Sequence, residues 1–246
     1  MSRYDARRQR SLARPPVDLR PTLTPAIDQG IRPLCIPIVV TAAHEASRTQ
    51  PPESLAPDAL WSSCVANGTA SREGTTLEAV ADALQTDGQP TLANWPFNTA
   101  IIHEADQIPL TAQASIWHQA NLSSVPVAND GIEDGIEDHL TIGRAVALIV
   151  EVTTEFEQAT PNDTIEVPPL TAPQGSYHAV LVVGARTHEG VRALLIRNSW
   201  GPGWGAGGYG WLPLDYLIAF GARAGAIDPS SLTNSTLPSR WGTDSL

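Results

Sequence analysis

Lysine is absent from the 246 residues: all 15 basic side chains are arginine, against 26 acidic ones, for a formal net charge of −11. That absence excludes a lysine Schiff base, a phosphate loop built on lysine and lysine as a conjugation acceptor. The uniform choice of arginine reads as coding bias. A pI near 4.8 argues against a nucleic-acid partner, because phosphates are neutralised by surplus basic charge. Cysteine is scarce as well. Cys35 and Cys64 could form one bridge at most, whereas secreted frameworks usually carry several. We therefore expect thiols and an intracellular, cytoplasmic setting. Long apolar runs are missing too: Ala145–Val152 and Ala179–Ala185 are each about eight residues, far short of the roughly 20 of a membrane span. The Arg-rich start has no apolar stretch behind it, so no secretory signal and no membrane partner is expected.

What the chain does hold is 19 Gly, 21 Pro and 7 Trp, the composition of a loop-rich globular protein long enough for one large domain or two subdomains. Residues 1–16 read as a basic, mobile arm ending in Pro15-Pro16, and residues 229–246 as a polar, loosely docked tail. Between them, the first half reads as helices at Cys35–Arg48, Pro57–Ser63 and Thr75–Gln85. In the last, Leu77, Val80, Ala81 and Leu84 fall at i, i+3, i+4 and i+7. The second half reads as strands at Ala145–Val152, Tyr177–Arg186, Val191–Asn198 and Tyr209–Leu212. Helices first and strands second predict an α+β protein, with a helical lobe over about 30–120 and a β lobe over about 121–228. Asp163–Gly175 is a long connection of the kind that carries function. The acidic run Asp130–Asp138, with GIED twice, lacks the alternating ligands of a calcium loop. It predicts the solvated entrance of a helix reaching about Ile142.

Cys35 opens the helical segment CIPIVVTAAHEAS, with Pro37 in the first turn, where proline is tolerated. A thiol there feels the positive end of the helix dipole, which favours the thiolate. Gln29, six residues upstream, carries an amide able to donate to an oxyanion beside Cys35. Alone, a cysteine is more often a small buried apolar residue, and His178, where a loop enters a strand, is alone more often structural. The segment from Asn198 to Tyr209 alters that balance: Asn-Ser-Trp-Gly-Pro-Gly-Trp-Gly-Ala-Gly-Gly-Tyr.

With its spacing N-S-W-G-x-G-W-G-x-x-G-Y, this segment resembles the papain-like cysteine peptidases position for position. The resemblance covers roughly residues 17–220, strongest over 198–211. It implies the papain-like fold, a helical lobe packed on an antiparallel β-barrel-like lobe with the active-site cleft between. It implies Cys35 as nucleophile, His178 as general base, Asn198 as the group orienting the imidazole and Gln29 in the oxyanion hole. Gly74, with Thr75, resembles the segment that pairs with substrate backbone. Tyr177 and Trp200 are placed beside the substrate with them, Trp200 also shielding the His178–Asn198 bond. Trp204 and Tyr209 are expected to pack, and the glycines from 201 to 210 to form a tight turn rather than a phosphate loop. Asn94-Trp95-Pro96-Phe97 resembles a further landmark of the family.

The chain departs from the family's C-G-[SA]-C-[WY] signature, reading Arg32-Pro33-Leu34-Cys35-Ile36. Arg32 stands where a disulfide cysteine is usual, so Cys64, a candidate partner, should be a thiol. Pro33 and Leu34 alter the wall beside the scissile bond, and Ile36 replaces an aromatic. The nucleophile comes early, so the chain resembles a prokaryotic-type enzyme lacking an inhibitory pro-segment. Arg32 is read either as a solvated charge or as a contact favouring acidic substrate residues.

The implied chemistry is acyl transfer to Cys35 and hydrolysis of a peptide or protein substrate, with no cofactor. The alternatives are an isopeptidase or deamidase on the same fold, or a catalytically silent papain-like binding domain. His44 is expected on the outer face of the Cys35 helix, and His103, His118, His139 and His188 lack metal-ligand spacing, so no metal is expected. Restraint of the activity would fall to a regulatory protein partner, or to the arm or tail covering the cleft.

Overall fold

A computed structural model describes residues 9–48, 51–101, 104–126, 131–161, 164–169 and 175–236. The chain divides into two compact units. One comprises residues 1–21 and 124–226, the other residues 22–123 and 227–246. Helices dominate the second and an antiparallel sheet the first, the α+β division expected from the order of the elements. Among the described residues, no helix is long and apolar enough to cross a membrane.

In the sheet unit, β5 (Val146–Glu151), β6 (Tyr177–His188), β7 (Val191–Arg197) and β8 (Tyr209–Pro213) lie in that order. All these pairings are antiparallel. β1 (Val17–Asp18) adds to β6, and the first part of β9 (Gly221–Ser235) adds to β5. The strands read almost continuously apolar because the sheet carries a core on Val146, Leu148, Val150, Val180 and Val182. The Tyr216 and Phe220 rings of the Leu214–Phe220 helix belong to the same cluster.

The Glu133–Thr141 helix confirms the element predicted from the GIED run but not its solvation. Glu133, Asp134 and Glu137 are buried. The reason is cationic partners from distant sequence. The Arg192 Nε donates to the Glu137 Oε2 at 3.0 Å, and the Arg14 guanidinium lies 2.6 Å from Asp138 and 3.3 Å from Asp134. Arg192 also donates to the carbonyls of Arg14 and Pro15, at 3.2 and 3.0 Å. The basic arm is therefore docked from residue 9 onward rather than mobile there. Arg3, Arg7, Arg8 and Asp130 lie outside the described residues.

In the helical unit, the Cys35–Ala46 helix packs Ile38, Val39, Val40, Ala42 and Ala43 inward. The Pro57–Ala66 helix starts on a proline in its first turn, and the Leu77–Thr86 helix starts at Thr76, whose hydroxyl accepts the Ala79 N–H at 3.2 Å. Its buried stripe is Leu77, Val80, Ala83 and Leu84, with Ala83 in place of the Ala81 expected from the pattern. Strands also form outside the four runs expected from the sequence. β4 (Trp117–Ser124) runs beside the outer part of β9, where the Ser231 hydroxyl accepts the Asn121 N–H at 2.7 Å. Residues 229–235, expected in a loose tail, are thus strand, while residues 237–246 lie outside the described residues.

His44 is a second correction. It is fully buried, its Nδ1 taking the Gln89 Nε2–H at 2.9 Å, while the Gln89 Oε1 accepts from Thr41 at 2.8 Å. Burial pushes it down to about 3, with Arg48 and His118 acting in the same direction. His44 is therefore a neutral core residue.

Candidate active site

In the sheet unit, β6 opens with Tyr177 and His178, so the two point to opposite sides of the strand. Tyr177 is exposed and His178 buried. β7 ends at Arg197, and the next residue, Asn198, hangs on the Gly208 carbonyl through its backbone N–H at 2.8 Å. The Asn198 Oδ1 accepts the Ser199 backbone N–H at 2.8 Å and stands 2.7 Å from the His178 Nε2. A backbone N–H only donates, so the atom receiving it is the amide oxygen. That oxygen only accepts, so the His178 Nε2 carries the proton and Nδ1 is the ring's lone-pair nitrogen. The Asn198 Nδ2 is buried with no hydrogen-bond partner among the described residues. A buried amide with its donor half unsatisfied costs stability, which marks Asn198 as kept for its oxygen.

Burial pushes His178 down to about 4, the Asn198 hydrogen bond working in the opposite direction. The Trp200 ring lies 4.6 Å from the imidazole, tilted by 33°. Trp200 thus packs on the imidazole. Behind both sits Phe156, wholly buried, edge-on to His178 at 6.4 Å and to Trp200 at 5.7 Å. The Trp204 indole N–H donates to the Phe156 carbonyl at 3.0 Å. Trp204 therefore packs, as expected, and Phe156 is the supporting residue the sequence reading passed over. Its one local signal is Thr153, which caps the short Thr154–Glu157 helix by accepting the Phe156 N–H.

The glycine-rich segment from 201 to 208 is the connection between β7 and β8, as anticipated. Gly205 has φ +55°, and a Cβ there would run into the Tyr209 carbonyl oxygen. The tight return that holds Asn198 against Gly208 depends on it.

In the helical unit, Cys35 is the first residue of its helix and half-buried, and Leu34 at the cap position supplies no capping side chain. Cys35 and Cys64 are both thiols. Gln29 turns back on its own loop: its carbonyl accepts the Arg32 N–H at 3.1 Å, and its Nε2 donates to the Arg32 carbonyl at 2.9 Å. Gly74 in β3 (Gly74–Thr75), which pairs with β2 (Ala70–Ser71), has φ +123°, and a Cβ built there would stand 3.6 Å from the Pro33 carbonyl oxygen. The structure thus brings Gly74 beside the segment leading into Cys35. Thr75 adjoins it, its hydroxyl bound to the Thr69 carbonyl at 2.9 Å.

Arg32 requires correction. Its side chain is 1% exposed and lies 2.6 Å from Asp58, itself 0% exposed, with the guanidinium 4.9 Å from the Phe97 ring centre. It is neither a solvated charge nor a contact open to substrate carboxylates. Leu34 likewise is no wall residue: it is fully buried with Ile38 and Trp61.

The description "Papain family cysteine protease" matches residues 39–216 of this chain. The chain belongs to that family. His178, Asn198 and Trp200 lie inside the matched segment, whereas Gln29 and Cys35 precede it. Oryzain gamma chain of Oryza sativa subsp. japonica is 27% identical over 191 residues, 76% of this chain and 51% of the relative. Ananain of Ananas comosus is 39% identical over 73 residues, 28% of this chain and 21% of the relative. The chain spans between a tenth and about half of the length of the curated relatives it matches first. Among solved structures, xylellain, a cysteine protease from Xylella fastidiosa, superposes with a TM-score of 0.71 at 20% identity, covering 89% of this chain and 88% of that one. Procathepsin L 3 of Tenebrio molitor gives 0.64 at 19% identity, covering 88% and 71%. These likenesses establish the papain fold.

Proposed function

We propose that this chain is a cysteine peptidase that hydrolyses peptide bonds through Cys35, His178, Asn198 and Gln29. The observation that carries the reading is the Asn198 oxygen, which accepts from Ser199 and His178 together and so presents the His178 Nδ1 as a base. Family membership supplies the reaction class.

In this reading the His178 Nδ1 takes the Cys35 proton, and the thiolate attacks the peptide carbonyl carbon. A histidine whose burial favours the neutral form holds that proton only while a thiolate stands against the imidazolium. The oxyanion is held by the Cys35 N–H and the Gln29 amide. An NH2 group carries two hydrogens, so one nitrogen can serve both the Arg32 carbonyl and the oxyanion. The tetrahedral intermediate collapses as His178 gives its proton to the leaving amine, forming a thioester. His178 then takes a proton from water, which attacks the thioester and restores the Cys35 thiol. Trp200 keeps water from the His178–Asn198 bond, while Gly74, Thr75 and Tyr177 contact the substrate chain. No step calls for a cofactor or metal. Two thiols accord with a reducing, cytoplasmic setting.

Alkylation with iodoacetamide across pH tests the assignment. Cys35 is expected to label rapidly and selectively below pH 8.5, roughly the free-thiol value, with peptide hydrolysis lost in Cys35→Ala. Equally slow labelling of Cys35 and Cys64 would instead support a silent binding domain.

A further inference from the structure

Two side chains flanking Pro33 are sunk into one helix face. Arg32 reaches Asp58 and Leu34 reaches Trp61, residues three apart on the Pro57–Ala66 helix. Arg32 is the more constrained of the two. Its guanidinium is fixed by Asp58 and by the Phe97 ring, and the other Asp58 oxygen accepts the Asn98 N–H at 3.4 Å. The Arg32 main chain in turn holds Gln29 twice, donating to its carbonyl and accepting from its side-chain amide. Whatever orients Arg32 orients the Gln29 amide.

We propose that the buried Arg32–Asp58 ion pair, clamped by Phe97, is a positioning device that sets the Gln29 amide and the entry into the Cys35 helix for oxyanion binding. The proposal rests on the peptidase reading. Stability alone does not call for such a pair. Desolvating two charges offsets most of their attraction, and apolar residues of similar volume often serve a core as well or better. What an apolar pair cannot supply is a directed contact: one guanidinium nitrogen meets the Asp58 Oδ1 at 2.6 Å while the group lies over the Phe97 ring. Oxyanion donors need that, since they act at a fixed point and lose effect when displaced by a fraction of an ångström.

The decisive variant is the apolar double substitution Arg32→Met with Asp58→Leu, which leaves no unpaired buried charge. It is expected to melt near the parent temperature while kcat falls about 10- to 100-fold, the scale of a 1 Å misplacement, and KM stays within about twofold. Cys35 alkylation should keep the parent rate, because the thiol and His178 are untouched. Hydrogen exchange at the Arg32 and Cys35 amides should quicken about tenfold or more while β6 is unchanged. Arg32→Lys, which keeps the charge but loses the planar fork, should fall between the two. A folded double variant with parent kcat and parent exchange would overturn the proposal and leave the pair as core filler. Should the parent itself show neither peptide hydrolysis nor selective Cys35 labelling, the peptidase reading fails, and so does the role in oxyanion binding. Exchange at Arg32 and Cys35 then decides separately whether the ion pair orders the loop.

Discussion

His178 and Asn198 meet through an oxygen already committed to the backbone: the Asn198 Oδ1 is 2.8 Å from the Ser199 nitrogen and 2.7 Å from the His178 Nε2. The first bond fixes which way the amide faces, and the second therefore fixes the imidazole tautomer. Asn198→Ala frees the ring and leaves its N–H without an acceptor. We expect kcat/KM for a peptide substrate to fall about 100-fold, close to 2.7 kcal/mol of transition-state stabilisation. Asn198→Asp keeps an acceptor and adds a negative charge, which should raise His178 from about 4. NMR titration of the ring in a Cys35→Ala background would read that shift. A His178 that titrates unchanged in Asn198→Asp would refute the contact.

Gln29 gives a different signature. In the oxyanion role the Gln29 amide acts only once the substrate carbonyl is attacked, so Gln29→Ala should spare iodoacetamide labelling of Cys35. Peptide turnover is expected to fall about 10²–10³-fold, the loss typical of one oxyanion donor, about 2.7–4 kcal/mol. Parallel loss of labelling and turnover would place Gln29 in the fold of the loop rather than in the oxyanion hole.

The buried histidines make stability sensitive to mild acid. His178 and His44 are pushed by burial to about 4 and about 3, and His118 and His139 are lowered as well. The folded chain holds His178 and His44 neutral, whereas the unfolded chain takes up their protons below about 6.5. Stability therefore falls as pH drops from about 6.5 toward 5, by up to about 1.4 kcal/mol per pH unit for each such ring. Asp58 and Glu137 are raised by burial despite their arginine partners, so they act in the opposite direction. Urea denaturation at pH 7 and pH 5.5 should show a clear loss of midpoint at the lower value. A flat profile over that interval would mean the rings are accessible to protons in the folded state.

Much of this was legible in the sequence where local pattern dominates. The Cys35, Pro57 and Leu77 helices start at a proline in the first turn or a threonine cap, and the β5, β6 and β7 strands are apolar runs bounded by turn residues. Motif spacing led to Asn198 and His178. The outer part of β9 escaped notice because its Ser-Ser-Leu-Thr-Asn-Ser stretch has no apolar alternation; its strand form depends on β4. Arg32, His44 and Glu137 were misjudged for one shared reason. Charged and polar side chains are rarely buried unless partnered, and their partners Asp58, Gln89 and Arg192 are remote in sequence. Phe156 was missed because one phenylalanine in an acidic stretch carries no periodicity of its own.

The docked arm offers a last contrast between two kinds of ion pair. Glu137 and Arg192 are 2% and 3% exposed, and Arg192 also binds the Arg14 and Pro15 carbonyls. Asp138 is 71% exposed and, among the described residues, pairs with the Arg14 guanidinium. Glu137→Ala would leave a buried guanidinium against two carbonyls, at a cost of about 3–5 kcal/mol. Asp138→Asn removes a surface pair worth less than about 1 kcal/mol, and that small loss should vanish in molar salt, where the screening length is about 3 Å. Urea denaturation at low and high salt separates the two. Glu137→Ala should be strongly destabilised under both conditions, and its effect should be nearly independent of salt. If the two variants instead lose equal stability, and both recover in salt, the arm is held by surface charge alone. It would then be free to leave the Glu133–Thr141 helix at physiological ionic strength.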